Sequence, residues 1–133
     1  MAFYRTREGA VTAADSFTAI TGLYGQSTTA SIQVPAGSTA IVGMIATVAT
    51  DSASNGVTTF ACQVSGDGLQ SGQETIAFAG TGVDGTPVSN GQVVNAFSQD
   101  VSIPCIASNQ VSVAVAMSGD TGSCEAAITL VFQ

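Results

Sequence analysis

The sequence predicts an all-β domain, a single antiparallel β-sandwich, on three observations. Apolar and polar residues alternate with a period of two along most of the chain. Clusters of Gly, Pro, Asn, Asp and Ser interrupt the alternation roughly every 8–12 residues, as turns between short strands do. No stretch carries heptads or the periodicity of a long amphipathic helix. The 133 residues make one domain.

Residues 1–16 read as a short N-terminal arm, with room for one helical turn from Gly9 to Ser16, and residues 17–133 as the sandwich. Phe17–Tyr24 is a further candidate strand. Thr29–Val34 alternates Ala30, Ile32 and Val34 and stops at Pro35-Ala36-Gly37. Thr39–Thr50 is apolar on both faces, with Val42, Met44 and Val48 on one and Ile41 and Ile45 on the other. A strand of that kind is covered on both sides, so a loop, the arm or another subunit must supply the second cover. Val57–Ser65 sets Phe60, Cys62 and Val64 together, Glu74–Phe78 carries Ile76 and Phe78, and Gly80–Gly91 is a loop. Val93–Ile103 points Val93, Phe97, Val101 and Ile103 inward and ends at Pro104. Gln110–Ser118 places Val111, Val113, Val115 and Met117 on one face; Ser123–Phe132 does the same with Cys124, Ala126, Ile128, Leu130 and Phe132. With Gly119-Asp120-Thr121-Gly122 between them, these two predict a β-hairpin. An immunoglobulin-like sandwich usually buries a Trp against a disulfide. This chain has no Trp, which favours a jelly roll or another Greek-key sandwich.

Two basic and nine acidic residues give a net charge of −7, and charged residues make up 8% of the chain against about 25% in ordinary soluble domains. The surface is therefore built from Ser, Thr, Gly, Asn and Gln, short side chains that lose little entropy when packed against a neighbour. Nucleic acid is not an expected partner, because phosphate binding needs clustered Lys and Arg. Only Arg5 and Arg7 are present. The start, MAFYRTREGAVTAADSF, has Arg and Glu where a signal peptide needs an apolar run. The longest apolar run, Ile41 to Ala49, is about half of what spans a bilayer. An extracellular-looking composition without an export signal fits a virion protein made in a host cytoplasm; a chain trimmed of its leader would fit equally.

No His and no Lys closes the routes to catalysis through Ser-His-Asp or Cys-His pairs, a lysine Schiff base or imidazole metal sites. Asp51, Asp67, Asp84 and Asp120 fall in Gly-rich turns, where Asp bonds its local backbone. Glu74, Asp100 and Glu125 fall at outward or terminal strand positions. None makes the paired carboxylates of a hydrolase, and an enzyme is not expected. No cofactor is expected either. Structural Ca²⁺ is the one small-ligand alternative, at Ala79–Asp84 or at Asp51 with Asn55, where Gly-freed carbonyls and carboxylates supply hard oxygens. Cys62, Cys105 and Cys124 show no CxxC spacing. Cys62 and Cys124 lie on inward faces as small hydrophobes.

The stretch SIQVPAGSTAIVGMIATVAT and the closing VSVAVAMSGDTGSCEAAITLVF, with the arm before them, resemble small jelly-roll proteins of the capsids of bacteriophages and other double-stranded DNA viruses. The resemblance covers roughly residues 29–133. It implies a homo-oligomer, most often a trimer, bound to the major capsid protein or other virion proteins as a decoration (cement) or minor capsid protein that stabilises an icosahedral shell. A small jelly-roll major capsid protein is the near variant, and a secreted glycan-binding or adhesin module the distant one. Phe3, Tyr4, Arg5 and Arg7 in the arm are the expected contacts with the shell or a neighbouring subunit. A jelly roll is also expected to bring the strands of Cys62, Cys105 and Cys124 into one sheet, which leaves a cross-strand disulfide between Cys62 and Cys124 open.

Overall fold

Alternation with a period of two becomes strands and, among the described residues, no helix. The computed structural model describes residues 1–12, 14–22, 31–50, 57–78, 93–119 and 123–133. The strands are β1 (Phe3–Thr12), β2 (Ala14–Ala19), β3 (Ile32–Gln33), β4 (Ala40–Thr50), β5 (Val57–Ser65), β6 (Gln73–Ala77), β7 (Val93–Pro104), β8 (Gln110–Gly119) and β9 (Ser123–Phe132). They form two antiparallel sheets ordered β1-β9-β4-β7 and β2-β8-β5-β6, with β3 also paired to β8.

This order is a jelly roll. The chain pairs as a long ribbon whose rungs are β1·β9, β2·β8, β4·β7 and β5·β6. The ribbon then rolls up, so that β9 also pairs with β4, and β8 with β5. Between the sheets lie Ile41, Met44, Ala46, Ile128, Leu130 and Phe132 from one side, and Phe60, Cys62, Val64, Val111, Val113 and Val115 from the other, each at most 2% exposed. Burying one large side chain of this kind contributes about 1.5–3 kcal/mol. Phe60 and Phe78 meet in a tilted pair with ring centroids 5.4 Å apart.

The closing hairpin is not formed. Both strands stand where expected and bury Val111, Val113 and Val115 and Ala126, Ile128, Leu130 and Phe132, but β8 lies in one sheet and β9 in the other. Two strands with one apolar face each can sit edge to edge or face to face. Face to face, each buries its apolar row against the other sheet, and other partners satisfy its backbone.

The expected arm is also absent as such. Phe3–Thr12 pairs with β9 over ten residues, and Ala14–Ala19 is strand β2, so Gly9–Ser16 holds no helical turn among its described residues. The inward row of β1 is Phe3, Arg5, Arg7, Gly9 and Val11. Two arginines and a glycine hide the apolar alternation that marks the other strands. Gly9 is there because Ile20 packs over it: a Cβ would stand 3.3 Å from Ile20 Cγ2.

In β4 a bulge between Ile41 and Gly43 shifts the register against both neighbours. A bulge inserts one residue and reverses the facing of the residues after it. Ile41 and Met44 therefore both point inward, not Val42 with Met44, and Ile45 points outward at 38% exposure. Among the described residues none buries Ile45. The strand expected over Phe17–Tyr24 lies earlier, at Ala14–Ala19, and within the described part of Thr29–Val34 the strand is Ile32–Gln33. The Gly80–Gly91 loop falls outside the described residues.

The edge of β1 is blunted chemically. Glu8 exchanges both backbone hydrogen bonds with Gly22, at 2.8 Å each, away from β9. Tyr4 and Thr6, in phase with Glu8, direct their carbonyls the same way. Arg5 Nη1 donates to Tyr4 O at 2.9 Å and Arg7 Nη1 to Thr6 O at 2.8 Å. Carbonyls that already accept make a poorer template for an added strand.

Two outcomes test this fold. Phe60→Ala should lower the unfolding free energy by about 3–5 kcal/mol in urea titration, through the cavity it leaves between the sheets. Gly66 has φ +132°, and a Cβ there would come within 2.5 Å of Gln110 O; Gly66→Ala should cost at least about 1–3 kcal/mol, whereas Ala at the exposed, positive-φ Gly72, where a Cβ meets nothing, should cost about 1 kcal/mol.

Candidate functional site

The inward row of β1 stands at the margin of the sandwich, where β3 and Val34–Ala36 face it across a gap. The gap is a cleft of about 420 Å³. Phe3, Ile32, Val34, Pro35 and Ala36 give it apolar walls, and Arg5, Arg7, Gln33 and Ser108 bring polar groups. Residues 3, 5 and 7 share a face because they are two apart on a strand. Val34–Ala36 is held opposite by hydrogen bonds from Val34 N to Asn109 O at 2.9 Å and from Ser108 N to Val34 O at 3.0 Å. Ser108 has φ 70°, the left-handed region that non-glycine residues rarely adopt. Gln33 Nε2 donates to its carbonyl at 3.3 Å.

Arg7 is 7% exposed. Its Nη2 donates to Ser31 O at 2.7 Å, its Nη1 to Thr6 O, and its Nε is buried with no partner. Burial, and then the charge of Arg5, pull its pKa below the ordinary arginine value. A guanidinium stays charged in a protein even so. Arg5 lies over the Phe3 ring, 5.9 Å from its centroid, within cation–π range.

Of the four residues expected to act together, the structure gathers Phe3, Arg5 and Arg7 in the cleft and sends Tyr4 to the opposite face. There Tyr4, 59% exposed, joins Val42, Gly43, Ile45 and Val131 around a shallow hollow of about 260 Å³, rimmed by Ser98, Gln99 and Asp100. The sequence did not mark Gln33 and Ser108 as site residues. Both belong to the cleft through the pairing of β3 with β8, which no local pattern announces.

The acids with described side chains hold structural or surface positions. Asp67 Oδ1 accepts from Gln110 N at 3.0 Å, and Asn109 Nδ2 donates to Asp67 O at 3.1 Å; Asp100 and Glu125 are exposed. Among the described residues no three His, Cys, Asp or Glu side chains gather as a metal site. Ala79–Asp84, Asp51, Asn55 and Asp120 lie outside the described residues. No described helix is long and apolar enough to cross a membrane.

The disulfide left open between Cys62 and Cys124 is not made. Cys62 is a free, buried thiol whose cross-strand neighbours are Ile76 and Val115. Its strand β5 lies in one sheet and that of Cys124, β9, in the other. Cys105 is free and buried as well. Burial pushes the Cys62 thiol up to about 12 and raises that of Cys105.

A thiol that ionises late in the fold and early in the unfolded chain favours folding below its unfolded pKa of about 8.5 and loses that contribution as pH rises toward the folded value. Stability should therefore fall between about pH 9 and 12, by at most about 1.4 kcal/mol per pH unit from Cys62. Urea titrations across that range should show a shallower fall in Cys62→Ala. In the native protein at pH 8, iodoacetamide followed by peptide mass mapping should leave Cys62 unmodified.

No protein-family model matches the chain, and no curated protein matches it in sequence. Among solved structures it is similar to the vertex protein P5 of PRD1, with a TM-score of 0.51 and 10% identity, over 96% of this chain and 94% of that one. It is similar to a chain of infectious bursal disease virus, Gt strain, with a TM-score of 0.50 and 15% identity. That match takes in 98% of this chain and 32% of the viral one, so this chain spans about a third of it. A third likeness, at a TM-score of 0.47 and 12% identity, is to the globular domain of zebrafish complement 1qA protein, over 98% of this chain and 94% of that one. The chain thus shares the jelly-roll fold of the two virus proteins.

Proposed function

We propose that the chain is a virion structural protein, a decoration or minor capsid protein that stabilises an icosahedral shell through subunit contacts. The observation that carries this reading is the end-to-end likeness to a phage vertex protein, over 96% of this chain and 94% of that one. The nearly uncharged, short-side-chain surface and the exposed Tyr4 and Ile45 on the outer face of β1-β9-β4-β7 support a protein completed by neighbours. Its partners are then copies of itself, as a trimer, and the major capsid protein, and its place is the virion. It is not an enzyme: with no His or Lys it works through surface area and shape.

Light scattering on the purified protein should give about 40 kDa, three times 13.2 kDa, as expected for closed cyclic symmetry. Mass spectrometry of particles from the source should find the chain at a fixed ratio to the main shell protein, and its gene should lie beside portal, protease and major capsid genes. A strict monomer at high concentration would remove the trimer. Absence from purified particles, together with a reproducible glycan-array hit, would replace the virion reading with a secreted binding module.

A further inference from the structure

We propose that the cleft between β1 and Ile32–Ala36 is a carboxylate-binding site that docks an extended acidic segment of a partner protein.

The placement of charge is the first ground. The chain carries nine carboxylates and two cationic side chains, and both cations line this cleft. A fold with so many acids could have neutralised Arg7 internally. What acts on Arg7 is burial and the like charge of Arg5, both unfavourable to a cation. Its described partners are two neutral carbonyls, Thr6 O and Ser31 O.

The second ground is the unused donor capacity. A guanidinium has five N–H donors. Arg7 spends two of them, and its Nε is buried without a partner. A buried donor left unmade is unfavourable, and Nη1 and Nη2 each keep a further N–H that neither Thr6 O nor Ser31 O takes. The acceptor that matches a guanidinium fork is a carboxylate or a phosphate.

The walls decide between these. A cleft of about 420 Å³ is larger than either ion, and Phe3, Val34 and Pro35 make it apolar beside the charges. That suits a carboxylate carried on an aliphatic stem, or beside an apolar residue, better than a free inorganic anion. Both guanidiniums are already fixed, Arg5 by Tyr4 O and Phe3, Arg7 by Thr6 O and Ser31 O, so docking orders little that was free. Strand addition is disfavoured, because the outward carbonyls of Tyr4 and Thr6 already accept from Arg5 and Arg7. Recognition is through side chains entering the cleft. The site stands apart from the virion reading, since a soluble peptide tests it without any shell.

Two arginines give two Nε–H signals in a ¹H–¹⁵N spectrum, and these report on the cleft. The probe is the blocked peptide acetyl-Ala-Val-Glu-Val-Ala-amide, with its Gln counterpart as control. The Glu peptide should shift both Nε–H signals and the amides of Gln33 and Ser108, saturably, and bind at least about tenfold tighter than the Gln peptide. Arg5→Gln, at an exposed position, should fold normally and lose about tenfold in affinity. Arg7→Lys, which keeps charge and loses the fork, should weaken binding while the Arg5 signal still responds. Unmoved Nε–H signals at millimolar peptide, or equal binding of the Glu and Gln peptides, would overturn the proposal. So would two other results: the same shifts from inorganic phosphate at the same concentration, which would mark a general anion site, or concentration-dependent shifts without peptide, which would give the cleft to a second copy of this chain.

Discussion

Four strands, β4, β5, β8 and β9, each carry one row of large apolar side chains, and that row has to leave water. Pairing edge to edge satisfies the backbone of such strands and leaves the rows exposed. Only a second sheet laid over the first removes them from water, and the hydrophobic effect favours this in proportion to the area covered. Here the pairs β9·β4 and β8·β5 form the two central layers, with Ile128, Leu130 and Phe132 on one side of the core and Val113, Val115 and Phe60 on the other. The rolled ribbon is a consequence of that pairing. Once neighbours in the chain are sent to opposite sheets, their backbones must find partners far away in sequence. The result is strands such as β1, which closes on β9 at the other end of the molecule.

The periphery answers a different constraint. An open sheet has edges, and an edge strand displays unpaired carbonyls and amides. On β1 the two arginines do two things at once. They hydrogen-bond the outward carbonyls of Tyr4 and Thr6, and they occupy inward positions that a central strand would fill with Val or Ile. Because they replace apolar packing there, the gap between the sheets stays open along β1, and the cleft is the result. Edge protection and the candidate site therefore share one cause.

The opposite face of the same sheet carries the second feature of interest. The bulge in β4 spends one residue to turn Met44 inward and Ile45 outward, beside Val131 and Tyr4. A chain with so few charges has little on its surface to oppose close packing by a neighbour, and on this face Tyr4 and Ile45 are exposed. In the reading offered for its function, the outer face supplies area and the cleft supplies selectivity, and the two lie on opposite sides of β1.

The sequence by itself determined the β class, the strands from Ala40 to Phe132 within a residue or two, and the inward rows of β5, β8 and β9. It did so because alternation reports which face of a strand is buried, a local property. It also determined the chemistry that is missing, since absent His and Lys need no fold to be counted. Three things only the tertiary structure decided. The partner of each strand is one, because an apolar row looks the same whether its neighbour is beside it or across the core; the expected hairpin of β8 and β9 failed there, and the Cys62–Cys124 pairing that the sequence left open is not made. The nature of residues 1–16 is another, because Arg5 and Arg7 sit inward where the pattern called for apolar side chains. The third is the facing of β4, reversed by a single inserted residue. The arginines were singled out from their rarity alone; the fold made them a site, by bringing β3 and Ser108 from distant stretches of the chain to face them.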